Sequence, residues 1–359
     1  MIDWCNSTDA LKIAIDLPTG VLADRGEVGE GGAFMADVTF ALHGAKPSAF
    51  LLPSSTYYGK METVSIGLKQ KSGIEVIQRK RVEKTLPKRP SASHKGSFGT
   101  SMLIAGSDEM PGSALLAATG AIRSGTGKLI IGTTKFAASV IAPVVPEATY
   151  VWNGLEKAAR GELPEKIATI GIGPGIADEK LVSEALRVFM QLDLPLVIDA
   201  GALLKRESWA AKGPVILTPH PGEFSRLTGM AVADIQANRI ELAREFSNEH
   251  QAILVLKGND TVIAFPDGEV FINPTGNSGL AKGGSGDVLT GMIVSMLATH
   301  EYAKDAVINA VYVHGLCAEK WSETKSEASM TASDFSTLLP IVLKDLESLE
   351  NQKLFSLDT

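Results

Sequence analysis

The chain has 359 residues, 45% hydrophobic and 21% charged, and a net charge of −7. Those proportions describe an ordinary globular protein of about two domains, and the acidic balance gives no reason to expect nucleic acid or an anionic membrane as a partner. Cys5 and Cys317 have neither metal-type spacing nor a disulfide framework, the first residues carry no leader pattern, and the most apolar helical stretch, 288–298, is shorter than the roughly 20 residues a bilayer needs. A cytoplasmic location is the expectation.

In chain order, strands are expected at 12–16 (KIAID), 36–42 and 62–66, separated by turn-rich stretches such as 29–32. Few helical segments accompany them, and so short a run buries too little surface to stand as an independent core. It looks like the later part of an α/β domain. Residues 78–93 combine a basic run with Pro87, Pro90 and a Ser-rich end, without hydrophobic period, and read as a solvated connector.

From Thr100 onward strand and helix alternate. Apolar strands are expected at 101–105, 129–132, 168–172, 196–199, 215–217 and 253–256, with helices at 112–124, 178–191 and 234–249. Continuous apolar strands between amphipathic helices predict a mostly parallel sheet covered on both faces. A hairpin at 261–265 and 269–272 turns through Pro266, Asp267 and Gly268, and helices follow from 287. In such sheets ligands bind beyond the carboxyl ends of the strands, where Gly106, Gly173, Gly175, Asp199, His220, Lys257 and Gly258 fall.

The strongest chemical signal is 273–291, NPTGNSGLAKGGSGDVLTG. Small residues lead into an apolar helix, whose free N–H groups and dipole favour an anion such as phosphate. Glycines let that backbone approach closely. Asp287 reads either as a helix-start carboxylate or as a base taking a hydroxyl proton while the loop stabilises a transferring phosphoryl group. The Walker pattern and the strand-linked dinucleotide fingerprint are both absent. His220 between two prolines suggests a ligand contact more than a core histidine; Lys257 could contact a ligand or snorkel from a strand end; Asp199 could cap a turn or lie near substrate or metal. His94, Lys95, Glu223 and His314 carry no assigned role.

These segments resemble the ribokinase-like superfamily, and within it the ADP-dependent NAD(P)H-hydrate dehydratases. HKGSFGTSMLIAGS (94–107), PGSALLAATGAIRSGTG (111–127), IGIGPGI (170–176), VIDAGAL (197–203), LTPHPGEFSRL (217–227) and LVLKGNDTVIA (254–264) precede the glycine-rich loop in the family's order. The resemblance implies a three-layer α/β/α domain over 94–359, with a mostly parallel sheet. It implies a catalytic, substrate-contacting Asp287, substrate contacts at Ser113, Gly175 and His220, and nucleotide contacts at Lys257, Gly258, Asn259, Asp260, Thr261 and Gly286. Ser113 stands where the family usually has Ala, and Lys282 where Thr is usual. The implied reaction phosphorylates the C6 hydroxyl of the S epimer of hydrated NAD(P)H from ADP or ATP, with Mg²⁺ neutralising phosphate charge, and then expels phosphate. Homo-oligomers are common for this fold. A ribokinase-like kinase of a small vitamin-precursor alcohol, or a silent nucleotide-binding module, would share the anion loop but not the whole motif set.

IAIDLPTG (13–20), followed by ADVTFALHGAKPSAFLLPSSTYYG and METVSIGL, resembles the end of an NAD(P)H-hydrate epimerase domain. That likeness implies a truncated Rossmann-like segment over 1–77, with Asp16 as its substrate-binding acid and Thr19 beside a potassium ion. The epimerase's upstream Asn- and Gly-rich segment is not in this sequence. The expectation is a fragment or misplaced start, without epimerase activity.

Overall fold

The computed structural model describes residues 1–68 and 72–354. After a short helix, α1 (Ile2–Asn6), three strands form a small parallel sheet: β1 (Ile13–Ile15), β2 (Val38–Leu42) and β3 (Lys60–Val64), in that order. One face packs little: Ile13 and Ile15 are 46% and 63% exposed, while Ala14 between them is buried.

The rest is organised by a ten-stranded sheet. Its strands are β4 (Ile74–Val76), β5 (Thr100–Ile104), β6 (Lys128–Thr133), β7 (Thr149–Trp152), β8 (Thr169–Ile172), β9 (Leu196–Ile198), β10 (Val215–Leu217), β11 (Ile253–Leu256), β12 (Thr261–Ala264) and β13 (Val270–Asn273). They run in the order β4-β13-β12-β11-β10-β9-β8-β5-β6-β7. Only β12 lies antiparallel to its neighbours, so the expected hairpin is present. Strands β8 to β11 are buried at every position, which is why they read as unbroken apolar runs.

Helices cover both faces. On one lie α2 (Arg79–Thr85), α3 (Pro111–Arg123), α4 (Lys135–Ile141), α9 (Ser285–Thr299), α10 (Ala303–Ser322) and α11 (Phe335–Leu354), sharing one apolar core. On the other, α5 (Gly154–Ala159), α6 (Glu179–Phe189), α7 (Pro221–Thr228) and α8 (Val232–His250) share a second core, which Phe50 and Leu51 of the small unit join. The small unit also meets α8 at its kink, where Gly26 and Leu52 donate to the carbonyls of Ala237 and Gln236 beside the non-helical Asn238.

The three-layer α/β/α reading holds, and the long strands and helices lie within two residues of their expected bounds. The connector reading is corrected in part. Arg79–Thr85 forms a helix that seats Val82 fully in the core, with Arg81 donating to Asp305 at 3.1 Å. Its basic residues face outward around one apolar anchor, too short a pattern for periodicity to reveal. The edge strands β4 and β7 escaped notice for the same reason. Residues 355–359, the end of the expected second domain, lie outside the described ones.

Candidate active site

The turns after β5, β8, β9, β10 and β11 converge at the carboxyl end of the sheet with the start of α9, and a buried ion pair ties them together. Asp199, one residue beyond β9, is 1% exposed. It accepts from Lys257 Nζ, just beyond β11, at 2.9 Å and from Thr290 Oγ1 on α9 at 2.7 Å. Glu223 Oε2 lies 3.8 Å from the same ammonium. Burial disfavours that charge, but Asp199 and Glu223 more than offset it and raise the Lys257 pKa above its ordinary value. Lys257 is therefore a partnered cation, not a snorkelling one.

Gly286 lies over this pair: a Cβ there would stand 3.2 Å from Lys257 Nζ. Its neighbour Asp287, in the first turn of α9, has its carboxyl pKa pushed up to about 6, chiefly by burial. The Ser113 hydroxyl hydrogen-bonds it and acts in the opposite direction, while Asp199 adds repulsion. Gly175, at φ +68°, closes the other side, where a Cβ would come within 2.8 Å of Ser113 Cβ and 3.1 Å of Gly106 Cα. The start of α9 is pinned against α3 by two glycines. A Cβ on Gly291 would meet the Ala117 carbonyl at 1.8 Å, and one on Gly120 the Val288 carbonyl at 2.2 Å.

His220 caps α7. Its Nδ1 accepts from the N–H groups of Gly222 and Glu223, and Glu223 accepts from the His220 N–H at 2.8 Å. An accepting Nδ1 places the proton of a neutral ring on Nε2, and the side chain is 56% exposed, so Nε2–H can donate to a ligand. Glu223 orients this histidine and compensates Lys257 together.

Beyond Lys257, the loop of Gly258, Asn259, Asp260 and Thr261 is moulded around Arg239, a 2% exposed arginine of α8. Arg239 donates to the carbonyls of Asn259 at 2.6 Å, Leu256 at 2.7 Å and Lys257 at 3.1 Å. Burial lifts the Asp260 carboxyl to about 6 against the pull of Arg239, whose own pKa falls to about 10. The glycine-rich loop is held from α10: Gly276 N–H donates to Glu319, Asn277 to the Ala318 carbonyl, and Thr275 to the Tyr312 carbonyl. His314, driven by burial to a pKa of about 4 and so neutral, lies 3.0 Å from the Ser285 carbonyl and stacks on Phe335.

Among the described residues no cluster of three or more metal-type side chains could cage an ion. The donor set suits Mg²⁺ carried in on nucleotide phosphates, since that ion keeps several waters and takes one or two carboxylates. Both oxygens of the buried Asp199 are taken by Lys257 and Thr290, so Glu223 is the carboxylate beside the Lys257 ammonium that would supply one.

The site thus gathers Asp287, Ser113, Gly175, Gly286, His220 and Lys257, with Gly258 to Thr261 continuing from Lys257. Sequence reasoning left Glu223 and His314 without roles and overlooked Arg239 and Thr290. Arg239 was findable, because it falls four residues after Ile235 and four before Ala243 on the buried stripe of α8. Asp16 and Thr19 lie in the turn that follows β1 of the small sheet. Asp16, at φ +71°, accepts from Lys46 Nζ at 2.5 Å, and that ammonium also donates to the carbonyls of Leu42 and Gly44. Thr19 is exposed in that turn, and its carbonyl accepts from the Phe34 N–H at 2.8 Å.

Residues 101–340 match the NAD(P)H-hydrate dehydratase family model, two-thirds of the chain. The chain belongs to the NAD(P)H-hydrate dehydratase family. Residues 1–48 match a second family, the YjeF-related protein N-terminus. The ADP-dependent (S)-NAD(P)H-hydrate dehydratase of Bacillus subtilis is 53% identical over 266 residues, covering 74% of this chain and 96% of that protein. The bifunctional NAD(P)H-hydrate repair enzyme Nnr of Moorella thermoacetica is 34% identical over 370 residues, covering 97% of this chain and 69% of that one. Among solved structures, an ADP/ATP-dependent NAD(P)H-hydrate dehydratase from B. subtilis, co-crystallised with ATP/Mg²⁺, superposes with a TM-score of 0.75 at 51% identity, covering 77% of this chain and all of that one. A ribokinase-like superfamily protein from Enterococcus faecalis gives a TM-score of 0.67 at 26% identity, covering 78% of this chain and 98% of that one. The ribokinase-like architecture of this dehydratase is thereby shown.

Proposed function

We infer that this dehydratase returns the S epimer of hydrated NADH and NADPH to the reduced dinucleotide, driven by ADP or ATP. The observation that carries the reading is Asp287 at the start of α9: a half-buried carboxyl of pKa about 6, beside the Ser113 hydroxyl and next to Gly286 over the Lys257 ammonium. Such a carboxylate is ionised at neutral pH and still basic enough to accept a proton.

Asp287 takes the proton of the substrate's C6 hydroxyl as that oxygen attacks the terminal phosphoryl group, and the bond to the departing nucleotide breaks. The first N–H groups of α9 and the Lys257 ammonium stabilise the charge on the transferring group. Mg²⁺, when bound, neutralises nucleotide phosphates. The C6–O bond then breaks, the ring nitrogen supplies electrons as phosphate leaves, and a C5 proton is lost. Phosphorylation makes a poor leaving group a good one, which explains why a dehydration consumes a nucleotide. His220 Nε2–H and the Gly175 turn line the dinucleotide, and Gly258, Asn259, Asp260 and Thr261 follow the adenine nucleotide.

Residues 94–359 form the dehydratase unit, 1–77 the epimerase-like unit and 78–93 their connection, although β4 and α2 pack with the larger body. Asp16 acts in that unit as an ion-paired structural carboxylate. No helix among the described residues is long and apolar enough to cross a membrane, which suits a cytoplasmic location. The sheet-edge stripe of Phe136, Val140, Val144 and Trp152, each at least 46% exposed, suits association between copies of the chain.

Purified protein incubated with hydrated NADH should form NADH only when ADP or ATP is added. Equal conversion without nucleotide would sink the phosphorylation mechanism. Stable phosphorylation of a small alcohol, with hydrated NADH untouched, would replace it with a kinase.

A further inference from the structure

Beside the catalytic end of the sheet lies an open cavity of about 970 Å³ between α6, the turn after β9 and α7. Its floor includes Ile176 and Gly201, and its rim carries Lys180, Lys205 and Arg226 against the single acid Glu179. Two lining residues bind it to the site already described: Ile176 directly follows Gly175, and Ala200 directly follows Asp199. The two turns are locked together, since a Cβ on Gly201 would lie 1.8 Å from the Ile176 carbonyl and one on Gly173 the same distance from the Asp199 carbonyl. Ala200, at φ +48°, holds a left-handed conformation that an alanine adopts only under constraint.

Several cations elsewhere on this surface, Arg79, Arg81, Arg160, Arg244, Lys304 and Lys320, are neutralised by carboxylates. Lys180, Lys205 and Arg226 are exposed and have no ion-pair or hydrogen-bond partner among the described residues. In a chain of net charge −7, three unpaired cations around one concavity, against one acid in its lining, leave a local excess of positive charge. Such an excess attracts an anion.

We propose that this cavity is the far-end subsite of the dehydratase, where Lys180, Lys205 and Arg226 bind the phosphate groups of the hydrated dinucleotide. The proposal rests on the dehydratase reading and adds the determinant of substrate affinity. A hydrated dinucleotide carries a pyrophosphate remote from its reacting ring, and the NADPH form carries a further ribose phosphate. The reacting ring belongs at Asp287, Ser113, Gly175 and His220. A dinucleotide leaving that point past Gly175 and Ile176 brings its phosphates into the basic cavity, away from the Lys257 to Thr261 loop that serves the phosphoryl donor.

The test is steady-state kinetics of the full chain with ADP, on hydrated NADH and hydrated NADPH, for Lys180→Ala, Lys205→Ala, Arg226→Ala and the triple variant. The triple variant should raise KM for the hydrated dinucleotide about tenfold, the size expected of a few solvent-exposed ion pairs acting together. Its kcat should stay within about twofold and KM for ADP should be unchanged. The rise of KM with added salt in the unaltered protein should flatten in the variant. An equal effect on both dinucleotides assigns the cations to the pyrophosphate, and a larger effect on hydrated NADPH assigns them to the ribose phosphate. Restoring charge with Lys180→Arg, Lys205→Arg and Arg226→Lys together should recover most of the affinity. Unchanged KM for both dinucleotides in the triple variant overturns the subsite and leaves the dehydratase standing, as does an effect confined to ADP. Absence of turnover in the unaltered protein removes both.

Discussion

At the scale of the residue, Asp287 carries the most consequence. Its carboxyl, raised to about 6 in the fold from 3.8, makes kcat/KM climb with pH through about 6 and level off above it, a profile readable between pH 5 and 8. The same shift has a stability counterpart of determined sign. The folded state holds this proton more tightly than the unfolded chain, so folding gains as pH falls from about 6 toward 4, and at neutral pH the ionised group opposes it. Asp287→Asn should therefore lower turnover by about 10²–10⁴-fold while raising the melting temperature at pH 7, from about 1–3 kcal/mol of relieved burial. Nucleotide affinity should barely change, as equilibrium binding would register. A variant of normal turnover would reduce Asp287 to a helix-start residue. Lys257→Met should do the reverse to stability: it strands Asp199, buried and bonded to Thr290, and should cost about 3 kcal/mol, seen as an earlier denaturant midpoint. The sequence made Asp287, Gly286, Lys257 and His220 legible because each adjoins glycines or prolines that need a reason. It could not disclose that Asp199 and Glu223 share one ammonium while Thr290 holds the other oxygen of Asp199, because those partners sit on separate elements and meet only through the fold.

At the scale of the element, the strands and helices with unbroken apolar faces were readable, whereas β4, β7 and α2 were not. Three or four residues at an edge alternate too briefly for a period to emerge, and only pairing with β13 or β6 makes them strands. The helix pair α3 and α9 has a hidden requirement as well. Its backbones touch at Gly120 and Gly291, and nothing in PGSALLAATGAIR or SGDVLTGMIVSML announces which glycines face each other. Gly291→Ala should force the helices apart, because its Cβ would stand 1.8 Å from the Ala117 carbonyl. The expected result is destabilisation of about 1–3 kcal/mol, the usual range for overpacking, with kcat reduced because Asp287 moves away from Ser113. Thermal melts and single-turnover rates on the same preparation check both parts. A normal melt with normal kcat would mean that the interface yields more readily than its packing suggests.

At the scale of the whole molecule, the two bodies differ in how much surface they bury. The small unit keeps a minor apolar cluster around Val21, Ala33 and Tyr58 and borrows the rest of its support from the kinked region of α8, while the ten-stranded sheet lies between two extensive cores. Amides of β1 to β3 should exchange with deuterium well before those of β8 to β11, and mass spectrometry of the exchanged peptides reads the order directly. Equal protection would show that the two bodies open as one. The large body has its own peculiarity: the catalytic constellation straddles the sheet. Asp287 and Ser113 come from helices on one face, whereas His220 and Glu223 come from a helix on the other. Their alignment is a difference between two layer thicknesses, so it works as a gauge. A swelling of either core by a fraction of an ångström, far too small to melt a helix, throws the gauge off. In a denaturant titration, turnover should therefore vanish while helical circular dichroism is still intact, with the enzyme itself as the most sensitive reporter of its own packing.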